Sequence, residues 1–113
     1  MADRGTIFET LSEQRGRFTH LKVASSFKGW TRTMQYHFPD LDLHLIIPVT
    51  DGVPGEISEG VAEGAQVSYE MSSDTFLAIH RKEMTGMNAF TRKLVKVKAS
   101  MPDLLKLQKL DSI

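Results

Sequence analysis

Cysteine is absent from the 113 residues. Its absence excludes disulfide staples and thiolate chemistry, and fits a reducing cytoplasm. No apolar run reaches the length of about 18 residues that a membrane helix needs. The first residues, Met1-Ala2-Asp3-Arg4-Gly5-Thr6, have no apolar signal core, and Asp111-Ser112-Ile113 is not a peroxisomal address, so a cytoplasmic protein is expected. The patterns Gly-x-Ser-x-Gly, His-Glu-x-x-His and Gly-x-x-x-x-Gly-Lys-Ser/Thr are all missing. Glu56, Glu59 and Glu63 lie in a glycine-rich stretch and read as solvated surface. No acid–base pair can be assembled, so the chain is expected to be no enzyme and to need no cofactor. There is no internal repeat, low-complexity tract or linker.

Neither charge sign dominates: 14 cations face 14 carboxylates. No nucleic-acid partner is expected. The charge is unevenly spread, however. Residues 91–113 hold Arg92, Lys93, Lys96, Lys98, Lys106 and Lys109 against Asp103 and Asp111, a net of +4. Such an end suits transient contact with an anionic lipid surface. The plainer reading is a solvated strand and helix face. Apolar residues at 41% and charged residues at 25% are ordinary for a globule, and one domain over residues 1–113 is the natural expectation.

Periodicity supplies the elements. Thr6-Ile7-Phe8-Glu9 has the form of a capping box, Ile7, Phe8 and Leu11 form an apolar stripe, and Gly16 should end this helix. Residues 17–28, including Leu21, fit no single period. From Trp30 the period is two, with Trp30, Met34, Tyr36 and Phe38 on one face and Arg32 the odd residue among them. Leu41, Leu43, Leu45 and Ile47 alternate next, and Pro48 should end that strand. A hairpin over Pro39-Asp40 would pair Phe38 with Leu41, Tyr36 with Leu43 and Met34 with Leu45. A short strand is expected near Glu56-Ile57-Ser58, and another over Val67, Tyr69 and Met71. Ser72-Ser73-Asp74 offers an N-cap for a helix that Gly86 should break, with Phe76, Leu77, His80 and Met84 on one arc. Val95, Val97 and Ala99 alternate against Lys96 and Lys98. Pro102 and Asp103 suit the first turn of a terminal helix. The order gives an α+β fold, a mostly antiparallel sheet covered on one face by helices.

Residues 67–110 resemble the end of the sterol carrier protein type 2 family. The resemblance rests on Val67-Ser68-Tyr69-Glu70-Met71-Ser72-Ser73-Asp74, on Ala89-Phe90, on Lys96-Val97-Lys98, and on Met101 with the Leu/Lys helix to Leu110. Asp51-Gly52 and Gly55-Glu56 are loosely similar to the family's Gly-acid-Gly pattern. The resemblance implies a small domain with an apolar tunnel that carries fatty acids, fatty acyl-CoA or sterol-like lipids without chemistry. The family usually has Gly where Lys82, Lys93 and Ala99 stand, and often Pro where Gly86 stands. Those departures imply an unstrained backbone there, or shifted turns.

The terminal helix supports a lipid site independently. Met101, Leu104, Leu105, Leu107 and Leu110 spread over more than half its circumference, wider than a surface helix needs. The expected lipid-binding residues are Trp30, Met34, Phe76, Leu77, Met84, Met87, Phe90, Met101, Leu104 and Leu107, with Arg32 as a weaker head-group candidate. Core packing remains open for each of them, and an Arg in the place of Arg32 more often lays its stem over the core edge and sends its head to water. Two further readings stand beside lipid carriage. One is a homodimer or other interaction domain whose partner covers the surplus apolar face; the other is an accessory domain serving a partner enzyme. His37, Asp42 and His44 share an outward face in the expected register, but a solvent-facing cluster is favoured over a metal site. His80 reads as a satisfied, buried histidine.

Overall fold

The computed structural model describes residues 3–20 and 23–109. Leu21, Leu110 and Asp111-Ser112-Ile113, named above, lie outside the described residues, as do Met1 and Ala2. Helix α1 spans Arg4–Gly16, ending where glycine was expected to end it. Its N-cap is Asp3, not Thr6: the Thr6 amide donates to Asp3 Oδ1 at 2.7 Å. That backbone bond holds the Asp3 carboxyl below its ordinary pKa. A carboxylate at a helix N-terminus is the stronger acceptor and also suits the dipole. Two short 3-10 turns, Arg17–Thr19 and Ala24–Phe27, occupy the stretch without a period.

Strands β1 (Arg32–Phe38) and β2 (Leu43–Thr50) form the hairpin. A 3-10 turn at Pro39–Leu41 and Asp42 at φ 48° join them. These turn residues move the register by two from the expected one: Phe38 faces Leu43, Tyr36 faces Leu45 and Met34 faces Ile47. A shift of two preserves parity, so both apolar sets still share one face. β2 also runs on through Pro48. Its outer neighbours are two short strands, β3 (Val53–Pro54) beside Val49 and Thr50, and β4 (Ser58–Glu59) beside Leu45 and Ile46. Pro48 falls in the gap between them, where a missing N–H interrupts no ladder.

Strand β5 (Val67–Met71) lies beside β1, and the pairing is parallel. The sheet is therefore mixed, in the order β3-β2-β1-β5-β6, rather than simply antiparallel. A parallel neighbour needs a long crossover, which residues 51–66 supply by returning the chain to the start of β1. Gly52, at φ 76°, allows the first bend. A Cβ there would lie 2.5 Å from the Phe27 carbonyl oxygen, and the Gly52 amide donates to Trp30 O at 2.8 Å.

Helix α2 (Ser73–His80) is capped by Ser72, which accepts from the Thr75 amide. Asp40 in the hairpin turn accepts from the Ser73 amide and hydroxyl. Desolvation opposes ionisation of Asp40, yet these bonds prevail and hold its pKa below the ordinary value. α2 stops at His80, so Met84 lies in the turn beyond it and not on the helical arc expected. Helix α3 (Gly86–Thr91) follows a Thr85 cap, β6 (Val95–Lys98) pairs antiparallel with β5, and α4 (Met101–Gln108) closes the described chain. Lys82 and Lys93 adopt φ 64° and 61°. The turns expected to have relaxed or shifted thus persist with lysine in the left-handed region.

The helices cover one face of the sheet. The other face is polar, with Gln35 donating to Ser68 and His37 at 2.8 Å from Glu70. Among the described residues no helix is long and apolar enough to cross a membrane.

Candidate functional site

Between the sheet and the helices lies a cavity of about 280 Å³. Met34 and Tyr36 of β1, Ile47 of β2, Tyr69 and Met71 of β5, and Val95 and Val97 of β6 form its floor. Leu11 of α1, Phe18, Phe76 and Ile79 of α2, Met87 and Phe90 of α3, and Met101, Leu104 and Leu107 of α4 form its walls. The volume lies near the lower end of small-molecule sites, about 300–1,000 Å³. Helix α4 does not pack flush against the sheet. Leu107 is buried and Leu104 half-buried, yet both border empty space.

Of the residues expected at an apolar site, Met34, Phe76, Met87, Phe90, Met101, Leu104 and Leu107 meet around this cavity. Trp30, Leu77 and Met84 are not among its lining residues. Trp30 packs with its ring centroid 5.9 Å from Phe18 and 5.3 Å from Phe27, in a cluster beneath the 3-10 turns. Leu77 is buried in the general core, and Met84 sits past the end of α2. The sequence reading missed Tyr36, Tyr69, Val95 and Val97 as lining residues, although their alternation was evident. Only the tertiary position of β5 and β6 beneath the helices makes that face a cavity floor.

Arg32 is also absent from the lining. Its Nε donates to Asp103 Oδ2 at 3.0 Å, and the Trp30 indole donates to Asp103 Oδ1 at 2.8 Å. Asp103 is 3% exposed. Desolvation raises its pKa, but the bonds from Trp30, Arg32 and Ser100, with the Arg32 charge, outweigh it and leave the carboxyl below its ordinary value. Ser100 caps the same turn by accepting from the Asp103 amide. These bonds pin the start of α4 to β1 and the segment before it. The guanidinium expected to meet a head group is thus engaged in holding the helix.

The polar groups that do border the cavity are Gln14, Arg15, Arg17 and Gln108. Arg15 donates through Nε to the Gly55 carbonyl. Arg17 Nη2 and Gln14 Nε2 lie 3.4 and 3.5 Å from His80 Nδ1, and His80 Nε2 lies 3.4 Å from Glu13. His80 is mostly buried and partnered, as its sequence setting suggested. No local signal marked Gln14, Arg15, Arg17 or Gln108, because polar side chains at helix ends carry no motif and only the fold brings them to one opening.

On the far face, His37 stacks on His44 with ring centroids 4.1 Å apart. Asp42 belongs to the hairpin turn, so the expected triad with His37 and His44 is not assembled. Glu70 instead accepts from His37 and Lys96, which hold its pKa below the ordinary value. No group of three or more metal-ligating side chains with suitable placement occurs among the described residues.

No protein-family model matches the sequence, and no curated protein matches it. Solved structures do. The chain is similar to the crystal structure of sterol carrier protein 2 like 2 from Aedes aegypti, with TM-score 0.70 and 14% identity over 94% of this chain and 96% of that one. The fold is that of sterol carrier protein 2. A solution structure of the palmitated Aedes aegypti protein aligns with TM-score 0.69 and 13% identity over 92% of each chain. The inverting sec-alkylsulfatase Pisa1 from Pseudomonas sp. aligns with TM-score 0.63 and 19% identity over 78% of this chain. This chain spans only 13% of that enzyme, so the sterol carrier fold occurs there as part of a much longer polypeptide.

Proposed function

We propose that the protein binds and carries hydrophobic ligands, such as fatty acids, fatty acyl-CoA or sterol-like lipids, in the cavity beneath α3 and α4, without chemistry on them. The observation that carries the proposal is the cavity of about 280 Å³ floored by apolar strand faces and walled by Met87, Phe90, Met101, Leu104 and Leu107. Burying each methylene contributes about 0.8 kcal/mol. A chain of about ten carbons therefore has a driving force of about 8 kcal/mol before ordering costs, with no directional contact. Arg17 and Gln14 at the border suit a carboxylate or phosphate end better than Arg32, whose Nε is committed to Asp103. The palmitated structure of a protein with this fold supports an acyl ligand.

Native mass spectrometry of freshly purified protein tests the reading. The expected spectrum contains adducts of lipid mass on a monomer. Titration with a fluorescent fatty acid should then give saturable uptake, weakened about tenfold in Arg17→Met for ligands bearing a carboxylate. A ligand-free spectrum together with no uptake would defeat the proposal. The sulfatase comparison favours a second reading, an accessory domain presenting its ligand to an enzyme. Co-purification of a constant enzyme partner would distinguish it.

A further inference from the structure

The cavity opens through an apolar lip. Met87, Phe90 and Met101 border the cavity and are nevertheless 53%, 49% and 67% exposed. Leu105, one turn beyond Met101, is 57% exposed on the adjoining strip of α4. Four large apolar side chains thus stand in water around one opening, where a monomer gains nothing from them.

On the α3 and α4 side of that lip the charge is of one sign. Between Met84 and Lys109 the sequence contains a single carboxylate, Asp103. Asp103 is turned inward onto Trp30 and Arg32. Arg92 and Lys93 follow α3 and are exposed, and Lys106 lies on α4. Arg15 and Arg17 also border the cavity, where Glu13, 3.4 Å from His80, is the nearby carboxylate. Lys96 and Lys98 face the other side of β6, where Lys96 meets Glu70, so they lie at the edge of this surface.

We propose that the lip formed by α3 and the start of α4 docks on an anionic lipid membrane, with Met87, Phe90, Met101 and Leu105 entering the interface and Arg92, Lys93 and Lys106 lying among the head groups. Charge complementarity selects this occupant. A second copy would present the same cations, and an isologous contact would set them against each other. An anionic bilayer offers negative charge and hydrocarbon together, with each basic residue near its surface strengthening binding about fivefold. In this pose the cavity opens toward the hydrocarbon, so an apolar ligand would pass between them without crossing water. The surface rests on exposure and charge, and holds whatever fills the cavity.

The absence of cysteine provides the test. Met101→Cys, labelled with an environment-sensitive thiol fluorophore, reports this position alone. Val61→Cys, at an exposed site beyond β4 near the opposite edge of the sheet, is the control. Phosphatidylcholine vesicles containing phosphatidylglycerol should shift the emission of the Met101 label to the blue and leave the Val61 label unchanged. Phosphatidylcholine alone should do neither, and high salt should reverse the shift. In vesicle sedimentation Phe90→Ser should weaken binding about tenfold. The double reversal Arg92→Glu with Lys93→Glu should do the same or more. Circular dichroism confirms that these surface variants fold, and if either does not, the labelled pair decides alone. Equal shifts at both positions, no shift at either, or equal response to neutral vesicles would overturn the proposal. So would a blue shift without vesicles accompanied by dimer mass in light scattering, which would make the lip an interface between copies.

Discussion

Asp103 determines where the last helix sits. Its carboxylate satisfies the buried Trp30 indole and pairs with Arg32, while its own backbone amide is capped by Ser100. Asp103→Ala would leave the indole N–H buried without an acceptor and should lower stability by about 2 kcal/mol in urea denaturation. Arg32 is about one-third exposed and would rehydrate, so the loss stays below that of a fully buried pair. The pH dependence has a definite sign. Because the folded pKa lies below the unfolded value of about 3.9, this contribution is complete above that value and is lost as pH falls through the folded pKa. Asp103→Asn should therefore flatten the stability profile below about pH 4 relative to the parent. An unchanged acid limb would contradict that account. Lys93 makes the opposite case. At φ 61° it occupies a left-handed position after α3 that glycine adopts freely. Left-handed backbone costs a non-glycine residue about 1–2 kcal/mol, partly offset by glycine's greater unfolded entropy. Lys93→Gly should raise stability by about 0.5–1 kcal/mol, visible as a higher thermal midpoint.

Helix α4 spans only eight residues and would be marginal alone. Its N-terminal turn is held by polar bonds, whereas Met101, Leu104 and Leu107 adjoin the cavity instead of filling it. Anchoring one end of a short helix above an apolar gap leaves the other contacts free to adapt to a ligand. Leu104→Trp would place an indole in that gap. The expected result is retained or slightly raised thermal stability with fatty-acid uptake reduced at least about tenfold, since the added volume displaces ligand and not protein. A destabilised variant that still takes up ligand normally would show that Leu104 does not border the binding space.

Across the molecule, the two sheet faces divide the work. One is polar and solvated, with the stacked His37 and His44 and the Glu70–Lys96 pair; the other carries both the packed core and the cavity. Ligand that binds only the folded state must stabilise it, by about 2.7 kcal/mol at one hundred times its dissociation constant. Calorimetry with and without excess fatty acid should show that increase, and Leu104→Trp should lack it. The core around Phe27 and Trp30, which does not line the cavity, should be indifferent to ligand in hydrogen exchange. Protection should instead rise in α3 and α4.

Much of this architecture follows from local sequence. The alternation from Trp30 to Ile47, the Ser72 cap, the glycine end of α1 and the terminal helix are legible within a few residues, because strand parity and helix capping are short-range properties. For that reason a two-residue change of hairpin register left Met34, Tyr36, Phe38, Leu43, Leu45 and Ile47 on one face, with only Leu41 moved into the turn. Seven of the ten apolar positions expected at a site converge on the cavity: Met34, Phe76, Leu104 and Leu107 lie on faces that local periodicity turns toward the sheet or helices, while Met87, Phe90 and Met101 reach it at its exposed rim. The parallel β1–β5 pairing, the departure of Trp30 to a separate aromatic cluster, the commitment of Arg32 to Asp103, and the presence of Arg15 and Arg17 at the opening required the folded chain. Each depends on contacts between residues far apart in sequence, and no short-range pattern records the distance at which a helix comes to rest above a sheet.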